Sequence, residues 1–254
     1  MVEVDFGSKR LPLLLFGTSP FMGAGQFGFK GQEWYQYFFH HPERMSELFD
    51  YFCEQGFPGV HVVGYPTIIE AARLSKMNYP LKIAVSLLPD NWNENLELVT
   101  NLEPEIVFIH GVMTDNYINK HAEALLSCFQ AIRDHDAFPG LATHNPYQTL
   151  LALHASSNPL PQESFGLLLP INLTGWGMGG PPKEIINLLQ KMDEYPIMAM
   201  KTLAAGRILP DEALKFVFEV PQVRIATVGM TSKEEVAEIA AIGQLILENK
   251  SKDM

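Results

Sequence analysis

Short apolar runs alternate with longer amphipathic segments eight times along this chain, and this alternation constrains the fold more than any other feature. Each run is continuously apolar and is bounded mostly by Gly, Pro or a polar residue, which is typical of parallel strands buried on both faces. The eight predicted strands cover residues 13–16, 59–63, 81–85, 106–109, 140–143, 166–169, 197–200 and 225–228.

The segments between these strands carry the start and stop signals of helices. They cover residues 42–56, 67–77, 94–102, 116–133, 147–156, 182–191, 211–219 and 233–247. Proline stands at or just before four of the starts, where its missing N–H costs little. Ser232 precedes the last segment and Glu235 occupies its third position, which predicts a helix-capping interaction.

Eight strands in alternation with eight helices, at about 30 residues per unit, predict a closed (β/α)8 barrel, the TIM-barrel fold. A doubly wound open sheet is the alternative, but this number of units favours closure. The length of 254 residues suits one such barrel, and no linker or shift in composition divides the chain. We therefore predict a single domain over residues 1–254.

Charge and hydropathy argue against two classes of partner. The chain has 18 Lys and Arg residues against 29 Asp and Glu residues, so it lacks the basic face that nucleic-acid binding usually needs. No stretch approaches the ~18 uninterrupted apolar residues of a membrane span. The first ten residues contain acidic side chains and no apolar run, unlike a signal peptide. We expect a cytoplasmic protein that binds neither nucleic acid nor membranes.

Polar residues follow most of the predicted strands, and in (β/α)8 barrels the carboxyl ends of the strands carry the chemistry. His110 is placed to polarise a carbonyl or to move a proton, unless it only bonds the neighbouring loop. Lys201 would enter a partly desolvated mouth, where a lysine forms a Schiff base or binds an anion, unless a rim carboxylate pairs with it. Tyr65 and Ser86 are weaker candidates.

The last two predicted strand-to-helix loops carry a signal for phosphate. Small residues, backbone N–H groups and a helix N-terminus together form an anion site, and phosphate often binds between these loops in such barrels. The alternative is a pair of tight turns that need glycine. The residues concerned are Gly206, Arg207, Gly229, Thr231, Ser232 and Lys233.

Metal catalysis is not predicted. His61, His110 and His144 come from three different strands, but His61 lies deeper in its strand than a rim position. No carboxylate directly follows a strand, and no HxH or HExxH spacing occurs.

Several segments resemble the aldo/keto reductase superfamily, whose members are (β/α)8 barrels that reduce carbonyls with NADPH. Residues 105–111 (EIVFIHG) are similar to the fourth-strand segment of the family, and residues 140–146 (GLATHNP) to a fifth-strand motif of some branches. Residues 200–206 (MKTLAAG) and 228–236 (VGMTSKEEV) resemble its C-terminal third, and residues 15–19 (LFGTS) its opening. The resemblance implies that His110 orients a carbonyl substrate and that the cofactor is NADP. The residues expected to hold the cofactor are Thr143, His144, Asn172, Gly206, Arg207, Gly229, Thr231, Ser232 and Lys233.

The sequence departs from the family at the catalytic tetrad of Asp, Tyr, Lys and His. The second predicted strand ends without an Asp, and Tyr65 fits the tyrosine position only if the loop is shortened. Ser86 stands where the lysine is expected, and Ala142 and Ile239 replace two cofactor-contacting residues. Without the lysine charge, a tyrosine with an ordinary pKa of about 10 donates a proton poorly at neutral pH.

Three functions follow from these observations. The first is an aldo/keto reductase-like oxidoreductase with an incomplete tetrad, in which His110, Tyr65 and Lys201 are the catalytic residues. The second is a Schiff-base lyase or aldolase that uses Lys201 on a phosphorylated carbonyl compound. The third is a non-catalytic barrel that binds a phosphorylated metabolite.

Aromatic residues are concentrated in the connection after the first strand. Of the 27 aromatic residues (3 Trp, 8 Tyr and 16 Phe), eight lie in residues 20–41. This connection is much longer than a usual strand-to-helix loop, which favours a lid or a binding loop over the barrel mouth. The alternative is a second small core packed over the mouth.

Overall fold

The eight apolar runs form eight parallel strands that close into a barrel, in a computed structural model that describes residues 3–155, 158–161, 165–192 and 194–252. An antiparallel hairpin, β1 and β2, precedes the barrel strands β3 to β10, and β10 pairs with β3 to complete the ring. The predicted (β/α)8 barrel is confirmed. The strands are β1 (Glu3–Phe6), β2 (Lys9–Pro12), β3 (Leu14–Gly17), β4 (Gly59–Val63), β5 (Lys82–Ser86), β6 (Ile106–Ile109), β7 (Phe138–Ala142), β8 (Gly166–Pro170), β9 (Ile197–Met200) and β10 (Val223–Gly229).

Helices connect the barrel strands. The segment expected to form one helix over residues 116–133 instead forms α5 and α6, because α5 starts directly after β6 and ends before a turn. In the described part of the chain, no helix is long and apolar enough to cross a membrane. The helices are α1 (Gly28–Phe38), α2 (Pro42–Glu54), α3 (Pro66–Asn78), α4 (Trp92–Thr100), α5 (Gly111–Tyr117), α6 (Glu123–Arg133), α7 (Pro146–His154), α8 (Pro182–Leu189), α9 (Pro210–Phe218) and α10 (Lys233–Lys252).

The β1–β2 hairpin belongs to the core inside the barrel, and the sequence analysis did not predict it. Phe6 and Leu11 of the hairpin are fully buried in one cluster with inward-facing residues of the barrel strands. The Phe6 ring packs edge-on against Phe108 and Phe138. Gly166 leaves room for this ring, since a Cβ there would lie 2.3 Å from it. The hairpin fills the interior from one end, so the ligand-accessible mouth lies at the carboxyl ends of the strands.

The aromatic connection after β3 contains two short 3-10 helices and α1. Phe21 and Phe38 are buried, with ring centroids 4.5 Å apart, and Phe21 also stacks on Phe16 of the barrel. These residues belong to the main core between the strands and the helices, so the connection does not form the separate second core that was the alternative. Tyr35 and Phe39 stack 4.6 Å apart and remain partly exposed. The connection therefore combines a packed base with an accessible aromatic surface.

Candidate active site

Polar groups of β4, of the end of β5 and of the residue after β3 bond one another below the mouth. The Thr18 hydroxyl donates to the carbonyl of His61 at 3.0 Å and accepts from the Val63 N–H at 3.1 Å. His61 Nε2 lies 2.9 Å from Ser86 Oγ, and both side chains are buried. Burial lowers the pKa of His61 to about 4, so this imidazole is neutral at neutral pH. Ser86 is thus the hydrogen-bonding partner of a buried, neutral histidine.

Tyr65 follows β4 and lies beside the aromatic connection. Its ring meets the Phe39 ring edge-on, with the centroids 5.6 Å apart. Its hydroxyl makes no hydrogen bond to any residue that the structure describes, while its backbone carbonyl accepts the first bonds of α3. Tyr65 and Phe39 therefore form a partly exposed aromatic wall at the β4 side of the mouth.

His110 ends β6 and caps the N-terminus of α5, and this determines its tautomer. Nδ1 accepts a hydrogen bond from the Val112 N–H at 3.2 Å. A neutral imidazole whose Nδ1 accepts carries its proton on Nε2. Burial and the neighbouring His144 lower the pKa of His110, which favours this neutral form at pH 7. His110 therefore has an Nε2–H donor that no residue of the described ranges engages.

Asp115 joins His110 and His144 in one cluster at the ends of β6 and β7. The two imidazole rings lie 5.6 Å apart at 73°. One Asp115 oxygen accepts from the Thr143 hydroxyl, and the other accepts from the His144 backbone N–H at 3.1 Å. The Thr143 hydroxyl in turn lies 2.8 Å from the Thr149 hydroxyl.

The expectation that the rim holds no carboxylate is wrong because of Asp115. Asp115 does not directly follow a strand, and the predicted helix begins only at residue 116. Because α5 starts at Gly111, Asp115 lies in its first two turns and returns to the mouth. Asp115 is four positions after Gly111, the first residue of α5, so it lies on the same helix face as the start of the helix, and this spacing is the signal that identifies it.

Lys201 follows β9 with a left-handed backbone, at φ 55°. Its Nζ makes no hydrogen bond or ion pair within the described part of the chain, and it lies 5.9 Å from the Trp176 ring centroid. Burial lowers the pKa of Lys201, and the negative charge of Asp115 opposes this. The charge of Lys201 in turn lowers the pKa of His144, so the two groups interact electrostatically.

Asn172 is fully buried and organises the loop after β8. Its side-chain nitrogen donates to the carbonyl of Trp176 at 2.8 Å and to that of Lys201 at 3.3 Å. Its side-chain oxygen accepts from the Trp176 N–H and from the Thr174 hydroxyl. Both ends of this predicted cofactor-binding amide are therefore engaged by the chain itself.

The loop after β9 contains consecutive left-handed residues, which are Ala204, Ala205 and Gly206. For alanine this conformation costs about 1 kcal/mol, so the surrounding packing must hold it. Arg207 donates to the Ala204 carbonyl at 2.8 Å, and its guanidinium lies 4.8 Å from the Trp176 ring centroid. The hydroxyl of Thr202 in the same loop is buried and has no partner among the described residues.

The N-terminus of α10 is capped by the chain's own carboxylates. The Glu235 N–H donates to Ser232 Oγ at 3.2 Å, which confirms the predicted cap. The Glu235 carboxylate accepts from the Thr231 N–H at 2.6 Å and from the Thr231 hydroxyl at 3.0 Å. Lys233 instead lies over the Tyr51 ring, 5.4 Å from its centroid. Among residues 3–155, 158–161, 165–192 and 194–252, no group of three or more His, Cys, Asp or Glu side chains has a metal-binding arrangement.

The structure thus separates the predicted site residues into groups. It brings His110, His144, Thr143 and Lys201 into the neighbourhood of Asp115. Asn172 contacts the backbone of Lys201, whereas Gly206 and Arg207 lie in the loop beyond Trp176. Tyr65 stands with the aromatic residues on the opposite part of the rim. Gly229, Thr231, Ser232 and Lys233 form the α10 N-terminus.

Solved structures with the same barrel include several aldo-keto reductases. A Pseudomonas aeruginosa protein classed as an aldo-keto reductase is 15% identical, with 97% of this chain and 95% of that chain covered at a TM-score of 0.68. An aldo/keto reductase from Klebsiella pneumoniae in complex with NADP and acetate is 14% identical, with 95% and 89% covered at 0.62. The chain therefore has the barrel fold that aldo-keto reductases have.

The fold is also shared with another enzyme class. The Thermotoga maritima phospho-2-dehydro-3-deoxyheptonate aldolase is 12% identical, with 98% of this chain and 73% of that chain covered at a TM-score of 0.57. Neither a protein-family model nor the sequence of a curated protein matches the chain.

Proposed function

We propose that this protein is an aldo/keto reductase-like oxidoreductase that uses a nicotinamide cofactor to reduce a small carbonyl compound at the carboxyl end of the barrel. The observation that carries the proposal is the tautomer of His110. Because Nδ1 accepts from Val112, the neutral ring presents Nε2–H, a donor suited to a carbonyl oxygen. Such a donor stabilises the negative charge that develops on this oxygen during reduction.

The loop after β9 offers groups that suit the diphosphate of a dinucleotide. Arg207 is exposed beside Trp176, and the buried Thr202 hydroxyl lacks a partner among the described residues. A bound reduced nicotinamide would supply the hydride. The N-terminus of α10 fits the additional phosphate of NADP poorly, because Glu235 already accepts the donors of Thr231. We therefore infer that the cofactor is a dinucleotide held mainly by the β9 loop.

Lys201 is the proton donor in this proposal. Burial lowers its pKa, which makes its ammonium group a stronger acid than that of an exposed lysine. Tyr65 lacks the neighbouring lysine charge that would make its phenol acidic, because Ser86 occupies that position and bonds His61. The aromatic wall of Tyr65 and Phe39 would instead cover the substrate and exclude water from the β4 side of the mouth.

Cofactor binding tests the first step. Titration of the full chain with NADH and with NADPH should change the intrinsic tryptophan fluorescence, and the change should be lost in Trp176→Phe because Trp176 lies beside both basic residues. Trp92→Phe is the matched control, since Trp92 lies in α4. No change with either cofactor at about 1 mM, which is the upper range of ordinary KM values, contradicts the proposal.

Turnover tests the assignment of His110. Consumption of reduced nicotinamide should be followed with a panel of aldehydes and 2-oxo acids. We expect His110→Ala to lower kcat/KM by about 100-fold, the effect of removing one oxyanion donor. His154→Ala changes an exposed histidine on α7 and should have no effect. Equal activities of the two variants would show that His110 does not contact the carbonyl.

A further inference from the structure

Lys201 differs from Lys9, Lys76 and Lys82 in having no ion-pair partner among the described residues. Lys9, Lys76 and Lys82 each form an ion pair, with Asp136, Glu103 and Glu105 at distances between 2.7 and 3.1 Å. Lys201 Nζ makes no ion pair or hydrogen bond with a described residue, and Asp115 influences it only at a distance. An amine that is both partly buried and unpaired leaves its lone pair available when it loses its proton.

The backbone and the neighbouring loop hold the Lys201 amine at the mouth and leave little space for other side-chain conformations. Lys201 has φ 55°, and the next turn contains the left-handed Ala204. Its Nζ lies near the backbone of the glycine-rich loop after β8, where a Cβ on Gly177 would be 3.5 Å from it. Trp176 from the same loop covers it at 5.9 Å. The side chain is therefore confined between β9 and this loop instead of extending into solvent.

We propose that Lys201 Nζ forms an imine with an aldehyde or a 2-oxo acid that carries an anionic group, as an activity beyond hydride transfer. The Arg207 guanidinium also lies near the Trp176 ring, 4.8 Å from the centroid, and is the cation that suits a carboxylate or a phosphate. The reactive amine and the anion-binding group thus border the same indole. Lowered basicity supports the assignment, since burial increases the uncharged fraction of the amine.

The step is balanced without an oxidant or a reductant. The uncharged Nζ adds to the carbonyl carbon, and the carbonyl oxygen takes a proton to become a hydroxyl group. This hydroxyl takes a second proton and leaves as water, while the nitrogen lone pair forms the C=N bond. The nitrogen has lost one of its two protons to solvent, so the net reaction is amine, carbonyl and one proton giving a protonated imine and water. The positive nitrogen then withdraws electrons from the adjacent carbon, as a lyase reaction requires.

Reductive trapping tests the proposal without any nicotinamide, so its result is independent of the proposed reductase activity. The full chain is incubated with cyanoborohydride and one of three probes, and the modified lysines are located by peptide mass spectrometry. Glyoxylate carries a carboxylate, glyceraldehyde 3-phosphate carries a phosphate, and propionaldehyde carries no charge. We expect Lys201 to be labelled at least ten times faster than exposed lysines by one or both anionic probes, and more slowly by propionaldehyde.

Two variants provide controls for this experiment. Lys201→Met keeps the length of the side chain and removes the amine, so the rapid phase of labelling should disappear. Lys183→Met removes an exposed lysine from α8 and should leave this phase unchanged. Labelling spread over exposed lysines at rates equal to that of Lys201 would overturn the proposal, and this result comes from the unmodified chain even if a variant fails to fold. Equal labelling by all three probes would overturn the role of Arg207.

Discussion

The polar residues on the two sides of the barrel mouth differ in their burial and in their hydrogen bonding. On the side of β3, β4 and β5, Thr18, His61 and Ser86 are buried and bond one another, with His61 in the middle of β4. At the ends of β6, β7 and β9, His110 and Lys201 are partly exposed and keep donors that no described residue engages. The difference is the basis of our proposal that the second side carries the chemistry, whereas the bonds on the first side stabilise the barrel.

The largest expected effect comes from removing the amine on the β9 side. Lys201→Met should lower kcat for carbonyl reduction by about 1000-fold, within the range for loss of a general acid. Steady-state kinetics on the best carbonyl substrate measures it, with Lys183→Met as the control. A larger loss of kcat in Tyr65→Phe than in Lys201→Met would show that the proton comes from the β4 side of the mouth. It would contradict the proposed difference between the two sides.

The free energy of unfolding should depend on pH through His61, which lies on the β3–β5 side of the mouth. Because the pKa of His61 falls from an unfolded value near 6.5 to about 4, the folded state binds fewer protons between these values. Stability is therefore fully present above about pH 6.5 and falls by about 3 kcal/mol as the pH decreases to 4. Urea unfolding at pH 7 and pH 4 measures this loss.

His61→Gln should remove most of this pH dependence, because glutamine does not titrate and can still reach Ser86. The lowered pKa values of His110 and His144 act in the same direction and leave a residual dependence in the variant. His154→Ala is the matched control, since it changes an exposed histidine. If His61→Gln keeps the full loss of stability between pH 7 and pH 4, His61 is not the buried neutral base described above.

Asp115 connects the groups of the reactive side, and removing its charge should shift their titration. The carboxylate raises the pKa values of His110, His144 and Lys201, so Asp115→Asn should lower them further. The alkaline limb of the pH profile of kcat/KM, where Lys201 loses its proton, should move to lower pH. A purely structural role for Asp115 would change the size of kcat/KM without moving this limb, and Asp134→Asn is the exposed control.

The barrel could be predicted because buried parallel strands leave continuous apolar runs, and three of the eight runs match their strands at both ends. The β1–β2 hairpin could not, since its strands have four residues each and include charged side chains. The helix α1 could not be predicted either, because Gly28 and Gly31 lower the helix propensity of its segment.

For the site, the strand ends identified His110 and Lys201. They did not identify Asp115, which reaches the mouth from a helix, or the hydrogen bonds that engage Asn172.

The smallest expected effect concerns the cofactor, at the N-terminus of α10 where the two sides of the mouth meet beside β10 and β3. Here Glu235 accepts two hydrogen bonds from Thr231 and presents its carboxylate where a phosphate would bind. Glu235→Gln keeps an acceptor oxygen and removes the charge, so the affinity for NADPH should increase relative to that for NADH by about 2- to 5-fold, the range for an exposed charge at a helix end. Fluorescence titration with both cofactors measures the ratio of the two Kd values.

Glu238→Gln, one turn further along α10, is the control that should leave the ratio unchanged. An equal ratio in the two variants would mean that the additional phosphate binds elsewhere, and that the α10 cap serves only to stabilise the helix.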